Sequence, residues 1–217
     1  MASIADNLQA VKARVGAVTL LAVSKGQSSE RMRDACAAGQ RAFGENYIQE
    51  ALQKMDALAR EALEWHLIGP LQSNKTRAAA ERFDWVQTVA SEKIAKRLSE
   101  QRPVQRGPLN VLVQVNASSE ASKSGIAPHE AEALCAQVAA LKHLRLRGLM
   151  AIPEPGAPRG RYREMRALYD SLKARFAFDT LSMGMSDDFE LAIAEGATMV
   201  RVGTAIFGAR TRVKSAA

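Results

Sequence analysis

Cysteine is scarce in this 217-residue chain: Cys36 and Cys135 are the only two, far apart, outside any CxxC spacing and with no adjacent histidine. That excludes a disulfide framework and a cysteine-based zinc site, and a reducing, cytoplasmic compartment is expected. Aromatic residues make up only 5% of the chain. Apolar runs reach strand length and stop well short of the roughly 18 residues that a membrane helix needs. The opening residues, Met1 to Val15, carry Asp6, Lys12 and Arg14 among spaced apolar positions, which matches neither a signal-peptide core nor an acid-free transit peptide. No charge of one sign dominates either. The net +7 divides into +4 over residues 1–108 and +3 over residues 109–217, with no basic tail. The densest cluster, Lys142, Arg145 and Arg147 followed by Arg159, Arg161, Arg163 and Arg166, is interleaved with little aromatic surface and reads as a solvated face. Neither a nucleic-acid nor a membrane partner is expected.

What is present is a core: 47% of the residues are hydrophobic, enough for one domain spanning residues 1–217. Eight short apolar runs recur, at residues 19–24, 41–45, 64–69, 85–89, 109–116, 144–152, 178–184 and 198–203. Stretches with helical spacing lie between them, near 30–38, 47–60, 74–82, 91–101, 128–141, 161–175 and 187–195, and another precedes them at 3–14. Strict alternation of strand and helix points to a parallel sheet. Eight strands favour a closed (β/α)8 TIM barrel, here with an extra N-terminal helix, over an open doubly wound sheet. About 250 residues is typical for that barrel, so the loops must be short.

Active groups of such barrels stand at the C-terminal strand ends, which directs attention to Lys25, Glu45, Asn46, His66, Asn116, Met150, Ser182 and Arg201 to Thr204. Lys25 follows the first strand directly. A lysine desolvated in a barrel mouth becomes a nucleophile toward carbonyls, as a Schiff base requires; the plain alternative is a solvated lysine after a strand. Gly203 and Thr204 follow the eighth strand, and Ser182 ends the seventh, where barrels commonly hold phosphate. The alternative there is a turn glycine and a helix-capping serine. A reactive amine beside a phosphate cradle suggests a phosphorylated aldehyde or ketone: pyridoxal 5′-phosphate, or the sugar phosphate of an aldolase. Aldolase barrels usually place their lysine on a later strand, so the first-strand position favours the cofactor.

These residues belong to a larger set. Residues 22–25 (AVSK), 43–49 (FGENYIQ), 65–75 (WHLIGPLQSNK), 113–125 (VQVNASSEASKSG), 148–153 (GLMAIP), 181–188 (LSMGMSDD) and 200–210 (VRVGTAIFGAR) closely resemble the pyridoxal phosphate homeostasis protein family, in order and over nearly the whole chain. The resemblance implies a barrel similar to the N-terminal domain of bacterial alanine racemase, with pyridoxal 5′-phosphate held as an aldimine on Lys25. It implies that Ser182, Gly203 and Thr204 hold the phosphate, that Arg201 faces the pyridine nitrogen, and that Asn46 and His66 stand around the cofactor mouth. It further implies a role in buffering the cofactor and supplying it to apo-enzymes. Many relatives carry a second lysine two residues after the first; Gln27 stands there in this chain.

An arginine at the pyridine nitrogen leaves the ring a weak electron sink. Racemisation tolerates this but needs an acid or base on each face of the substrate carbon. Tyr47, Tyr162 and Tyr169 fall in expected helices, and no residue fills the second face. The reading is therefore a monomeric carrier without robust turnover, with a low-activity racemase as the alternative. Lys123 in the loop after strand five is a candidate second amine, or simply a solvated lysine. Trp65 and Trp85 are expected to pack in or under the barrel wall. Met183 and Met185 either touch the cofactor or fill gaps, and Asp187 and Asp188 are expected to cap a helix.

Overall fold

Parallel strands covered on both faces read as continuous apolar runs, and in the computed structural model, which describes residues 2–118 and 124–208, each such run forms a strand. In chain order the elements are α1 (Ile4–Val15), β1 (Thr19–Val23), α2 (Ser29–Ala37), β2 (Ala42–Glu45), α3 (Ile48–Ala57), β3 (Glu64–Leu67), α4 (Thr76–Arg82), β4 (Trp85–Val89) and α5 (Glu92–Gln101). They continue with β5 (Leu109–Val115), α6 (Ala131–Ala139), β6 (Leu144–Ala151), α7 (Arg159–Phe176), β7 (Thr180–Ser182), α8 (Phe189–Ala194), β8 (Met199–Val202) and α9 (Thr204–Phe207). All neighbouring strands pair in parallel, and β8 returns to β1 with Leu21 opposite Arg201, closing the barrel. The TIM barrel with a leading extra helix is thus the fold.

Local chemistry sets the helix ends. Ser3 and Asp6 form a reciprocal capping box on α1, while Ser28 and Ser91 cap α2 and α5. Asn7 on α1 donates to the Ile206 carbonyl of α9 at 3.1 Å, so the extra helix supports the chain just past β8. Sequence periodicity does not reveal α9, because four residues complete barely one turn. β7 is shorter than expected, and Phe178 packs in the core ahead of it.

The main core lies between strands and helices; two small apolar clusters, Leu21 with Ile68 and Met199, and Trp85 with Leu112 and Met150, fill the barrel interior. Trp65 packs in the outer layer and Trp85 inside. Both cysteines are buried and free. Among the described residues, no helix is long and apolar enough to cross a membrane.

Gly148 marks a tight point in the wall. Its φ is +152°, beside a register shift between β5 and β6, and a Cβ there would lie 1.9 Å from the Thr180 carbonyl oxygen. Gly148→Ala is expected to cost about 2 kcal/mol or more. Urea unfolding measures this, and an unchanged midpoint would refute it.

Candidate functional site

Side chains of a strand alternate between its faces, so one parity on each strand points into the barrel. On β1 that parity runs Leu21, Val23, Lys25; on β8 it runs Met199, Arg201, Gly203. Its uppermost members surround a cleft of about 220 Å³ at the C-terminal mouth, where Lys25, Asn46, Ile68, Ile152, Arg201, Gly203 and Thr204 meet Met185, Ser186 and Asp187 from the loop after β7. Five of the seven expected site residues, Lys25, Asn46, Arg201, Gly203 and Thr204, are therefore brought together.

The segment carrying Lys25 is anchored from outside the barrel. Ser24 and Glu45 have the opposite parity and face α3, where Lys54 donates to Glu45 Oε1 at 2.7 Å, to the Ser24 carbonyl at 2.6 Å and to Glu50 Oε1 at 2.6 Å. Ser24 Oγ donates to Glu45 Oε1 at 2.6 Å, and the Gly26 N–H donates to Glu50 at 2.5 Å. Both neighbours of Lys25 are thus fixed to one ion-pair cluster. Burial raises the Glu45 carboxyl above its ordinary range, against the opposing pull of Lys54.

At β8 the Gly203 and Ala205 N–H groups both point at Ser186 Oγ, at 3.3 and 3.5 Å. Two main-chain donors, a hydroxyl and the neighbouring Thr204 make a cradle for an anion. Below it Arg201 is 3% exposed; its Nη1 donates to Ser182 Oγ and its Nη2 to the Ala151 carbonyl, each at 2.8 Å. No carboxylate among the described residues lies within ion-pair distance, and desolvation pushes its pKa down to about 10. Asn46 Oδ1 is buried and has no hydrogen-bond partner. A Cβ on Gly69 would lie 2.1 Å from the Asn46 carbonyl oxygen, so only glycine admits the chain beside Asn46.

Two residues expected at the mouth lie a layer beneath it. His66 is fully buried in mid-strand and contacts Glu64 at 2.7 Å and Gln87 at 3.0 Å; two residues along, Ile68 takes the mouth position on β3. Ser182 is also fully buried, with its hydroxyl held by Arg201 and Gln87, so the cradle serine is Ser186. Ser186 lies four residues on from Ser182, past Gly184 and beyond the strand end, where strand periodicity gives no signal. Of the other strand-end positions, Glu45 faces α3, Met150 fills the interior, and Asn116 Oδ1 accepts from Ser118 N and Oγ at 3.0 and 2.9 Å. Met185 lines the cleft while Met183 packs in the core. Asp188 caps no helix N–H; it accepts from the Met185 N–H and, at 2.5 Å, from the Tyr162 hydroxyl. Lys123 lies outside the described residues.

A larger cavity of about 450 Å³ adjoins the cleft behind Ser186; there Arg14 is paired with Glu190 and Tyr162 with Asp188. The smaller cleft holds the amine, the anion cradle and the lone guanidinium. Lys25, Arg201 and the Gly203 N–H can only donate, Asp187 is the one carboxylate lining the cleft among the described residues, and Asn46, Ser186 and Thr204 can donate or accept. Among the described residues, no cluster of side chains suits a metal ion.

The profile of the alanine racemase N-terminal domain family matches residues 1–211. The chain is 55% identical to the pyridoxal phosphate homeostasis protein of Pseudomonas aeruginosa, over 97% of each chain, and 52% identical to that of Escherichia coli K12, over 97% of this chain and 95% of the relative. Among solved structures it resembles PipY of Synechococcus elongatus with PLP bound, at a TM-score of 0.86 and 37% identity, covering 95% of this chain and all of PipY. It also resembles alanine racemase from Corynebacterium glutamicum, at a TM-score of 0.77 and 22% identity, covering 99% of this chain and 62% of the racemase.

Proposed function

Because the chain belongs to the alanine racemase N-terminal domain family and, within it, to the pyridoxal phosphate homeostasis proteins, we propose that it binds pyridoxal 5′-phosphate and acts as a carrier in vitamin B6 homeostasis. The observation that supports this best is the convergence of Lys25, Arg201 and the Gly203–Ser186 cradle in one cleft. Their chemistry fits the cofactor group by group. Main-chain N–H groups with Ser186 and Thr204 would take the phosphate. Arg201, which has only donors to offer, would face the ring nitrogen. Lys25 would hold the aldehyde carbon as a Schiff base, releasing one water. Asn46 would find in the ligand the partner that its buried oxygen lacks. When bound, the cofactor supplies an aldehyde that amines attack reversibly.

Carriage suits the surrounding residues better than turnover. Besides Lys25 and Arg201, Asp187 is the only titratable side chain lining the cleft among the described residues. Tyr162 and Tyr169 are buried, and burial together with Asp188 raises the Tyr162 hydroxyl well above its ordinary range. Tyr47 is 65% exposed and lines a neighbouring hollow with Lys75. Among the described residues, no tyrosine lines the cleft to serve as a second proton donor. This reading makes the protein a cytoplasmic monomer, one barrel domain that hands the cofactor to pyridoxal phosphate-dependent apo-enzymes. Borohydride reduction after loading is expected to fix the label on Lys25 in peptide maps, and incubation with L-alanine is expected to yield no D-alanine. A label scattered over surface lysines would refute the site, and steady racemisation would replace the carrier with an enzyme.

A further inference from the structure

Beneath the cleft a file of polar side chains runs through the barrel interior past two small apolar clusters. Arg201 Nη1 lies 2.8 Å from Ser182 Oγ, which lies 2.8 Å from Gln87 Oε1; Gln87 Nε2 lies 3.0 Å from His66 Nδ1, and His66 Nε2 lies 2.7 Å from Glu64 Oε1. Leu21, Ile68 and Met199 pack near one stretch of this file and Trp85, Leu112 and Met150 near another, with the Trp85 ring stacked on His66 at 5.1 Å. Glu64, the first residue of β3, has a half-exposed side chain, so the file runs from the ligand cleft to the opposite rim.

The direction of every hydrogen bond follows from the two ends. A guanidinium can only donate and a carboxylate can only accept. Ser182 therefore accepts from Arg201, and its own proton goes to Gln87 Oε1. The Gln87 amide then turns its N–H groups to His66 Nδ1 and to Met199 Sδ, 3.1 Å away. An Nδ1 that accepts leaves the imidazole proton on Nε2, where it meets Glu64. With the Gln87 amide reversed, the Ser182 proton has no acceptor and a bare Nε2 faces a carboxylate. Only one polarity satisfies all five residues. In a low-dielectric interior such aligned bonds reinforce one another.

We propose that Ser182, Gln87, His66 and Glu64 form a one-way donor line that orients the Arg201 guanidinium and carries its charge compensation to the far rim, making Gln87 and His66 positioning residues for the ligand ring. The proposal rests on the carrier reading for the identity of that ligand. It also gives a task to His66 and Ser182, which do not reach the cleft. Burial pushes the His66 imidazole below its ordinary range, consistent with a neutral ring fixed in one tautomer.

Two measurements decide it. In ¹⁵N NMR of the ligand-free protein, His66 is expected as the Nε2–H tautomer. The Nδ1–H tautomer or an imidazolium would overturn the line. Pyridoxine 5′-phosphate, which has the ring and phosphate but no aldehyde, is expected to bind Gln87→Met about tenfold more weakly, as when a misoriented Arg201 guanidinium loses its charged hydrogen bond to the ligand ring. Glu64→Gln, altered only at the half-exposed rim, is expected to bind it a few-fold more weakly. Competition by inorganic phosphate, which needs only the cradle, should be unchanged in both. Should Gln87→Met fail to fold, Glu64→Gln carries the test. Equal affinity in the folded variants overturns the positioning role alone, whereas a wild-type protein that fails to bind the ester overturns the carrier reading while the NMR result still judges the line.

Discussion

Lys25→Ala is expected to abolish the visible absorption band that wild-type protein develops with pyridoxal 5′-phosphate, and to leave pyridoxine 5′-phosphate binding within about twofold of wild type. The split follows from the division of labour in the cleft. Among the described residues Lys25 is the one amine lining the cleft, whereas the proposed anion cradle belongs to Gly203, Ala205 and Ser186, and Arg201 is held by Ser182 and the Ala151 carbonyl. None of these hydrogen bonds involves residue 25. Absorption titration measures the first half, and competition with a fluorescent phosphate ester measures the second. A band that persists in the variant would move the Schiff base to another lysine. Loss of both would mean that Lys25 also shapes the cradle, contrary to the geometry.

Lys54→Met is expected to be the most damaging single change away from the cleft. The Lys54 and Glu45 side chains are 6% and 0% exposed, and the one ammonium satisfies two carboxylates and a main-chain carbonyl. Without it Glu45 is a buried charge facing Glu50, at a cost of about 3–5 kcal/mol, or a fall in Tm on the order of 10 °C for a domain of this size. The loss should depend on pH. A carboxyl whose folded pKa is raised takes up a proton more readily when folded than when unfolded, so acid favours its folded state and stability is lost as pH rises through that pKa. Removing Lys54 removes the attraction that opposes the rise, so the variant should be closer to wild type at pH 5 than at pH 8 in urea unfolding. Glu45→Leu combined with Lys54→Met should recover much of the loss, because an apolar pair avoids the unpaired charge. Equal destabilisation at both pH values would show that the cluster acts through packing alone.

Strand and helix order was legible because each β/α unit carries its own local pattern. The mouth was legible only in part. Strand ends locate the height of a residue in a barrel, but parity decides whether it faces the cleft, and a one-residue error reverses the face. Glu45 stands at the end of β2 and faces outward; Asn46, the next residue, lines the cleft. His66 has the inward parity but sits two residues too low, a place that goes to Ile68. Lys54 carries no sequence signal at all: it reads as one more helix lysine, and only the packing of α3 onto Ser24 and Glu45 sets it apart. Ser186 lies just past the strand, on a loop whose course is set by contacts with the Gly203 and Ala205 amides rather than by periodicity.

The two cysteines bear on cargo chemistry. Aldehydes add to thiolates as well as to amines, so exposed thiols on a protein that binds an aldehyde cofactor would compete for it. Cys36 and Cys135 are 4% and 0% exposed, and burial raises both thiols, Cys135 to about 12. Held in the un-ionised form and out of reach, the two thiols leave an aldehyde at the barrel mouth to the amine of Lys25.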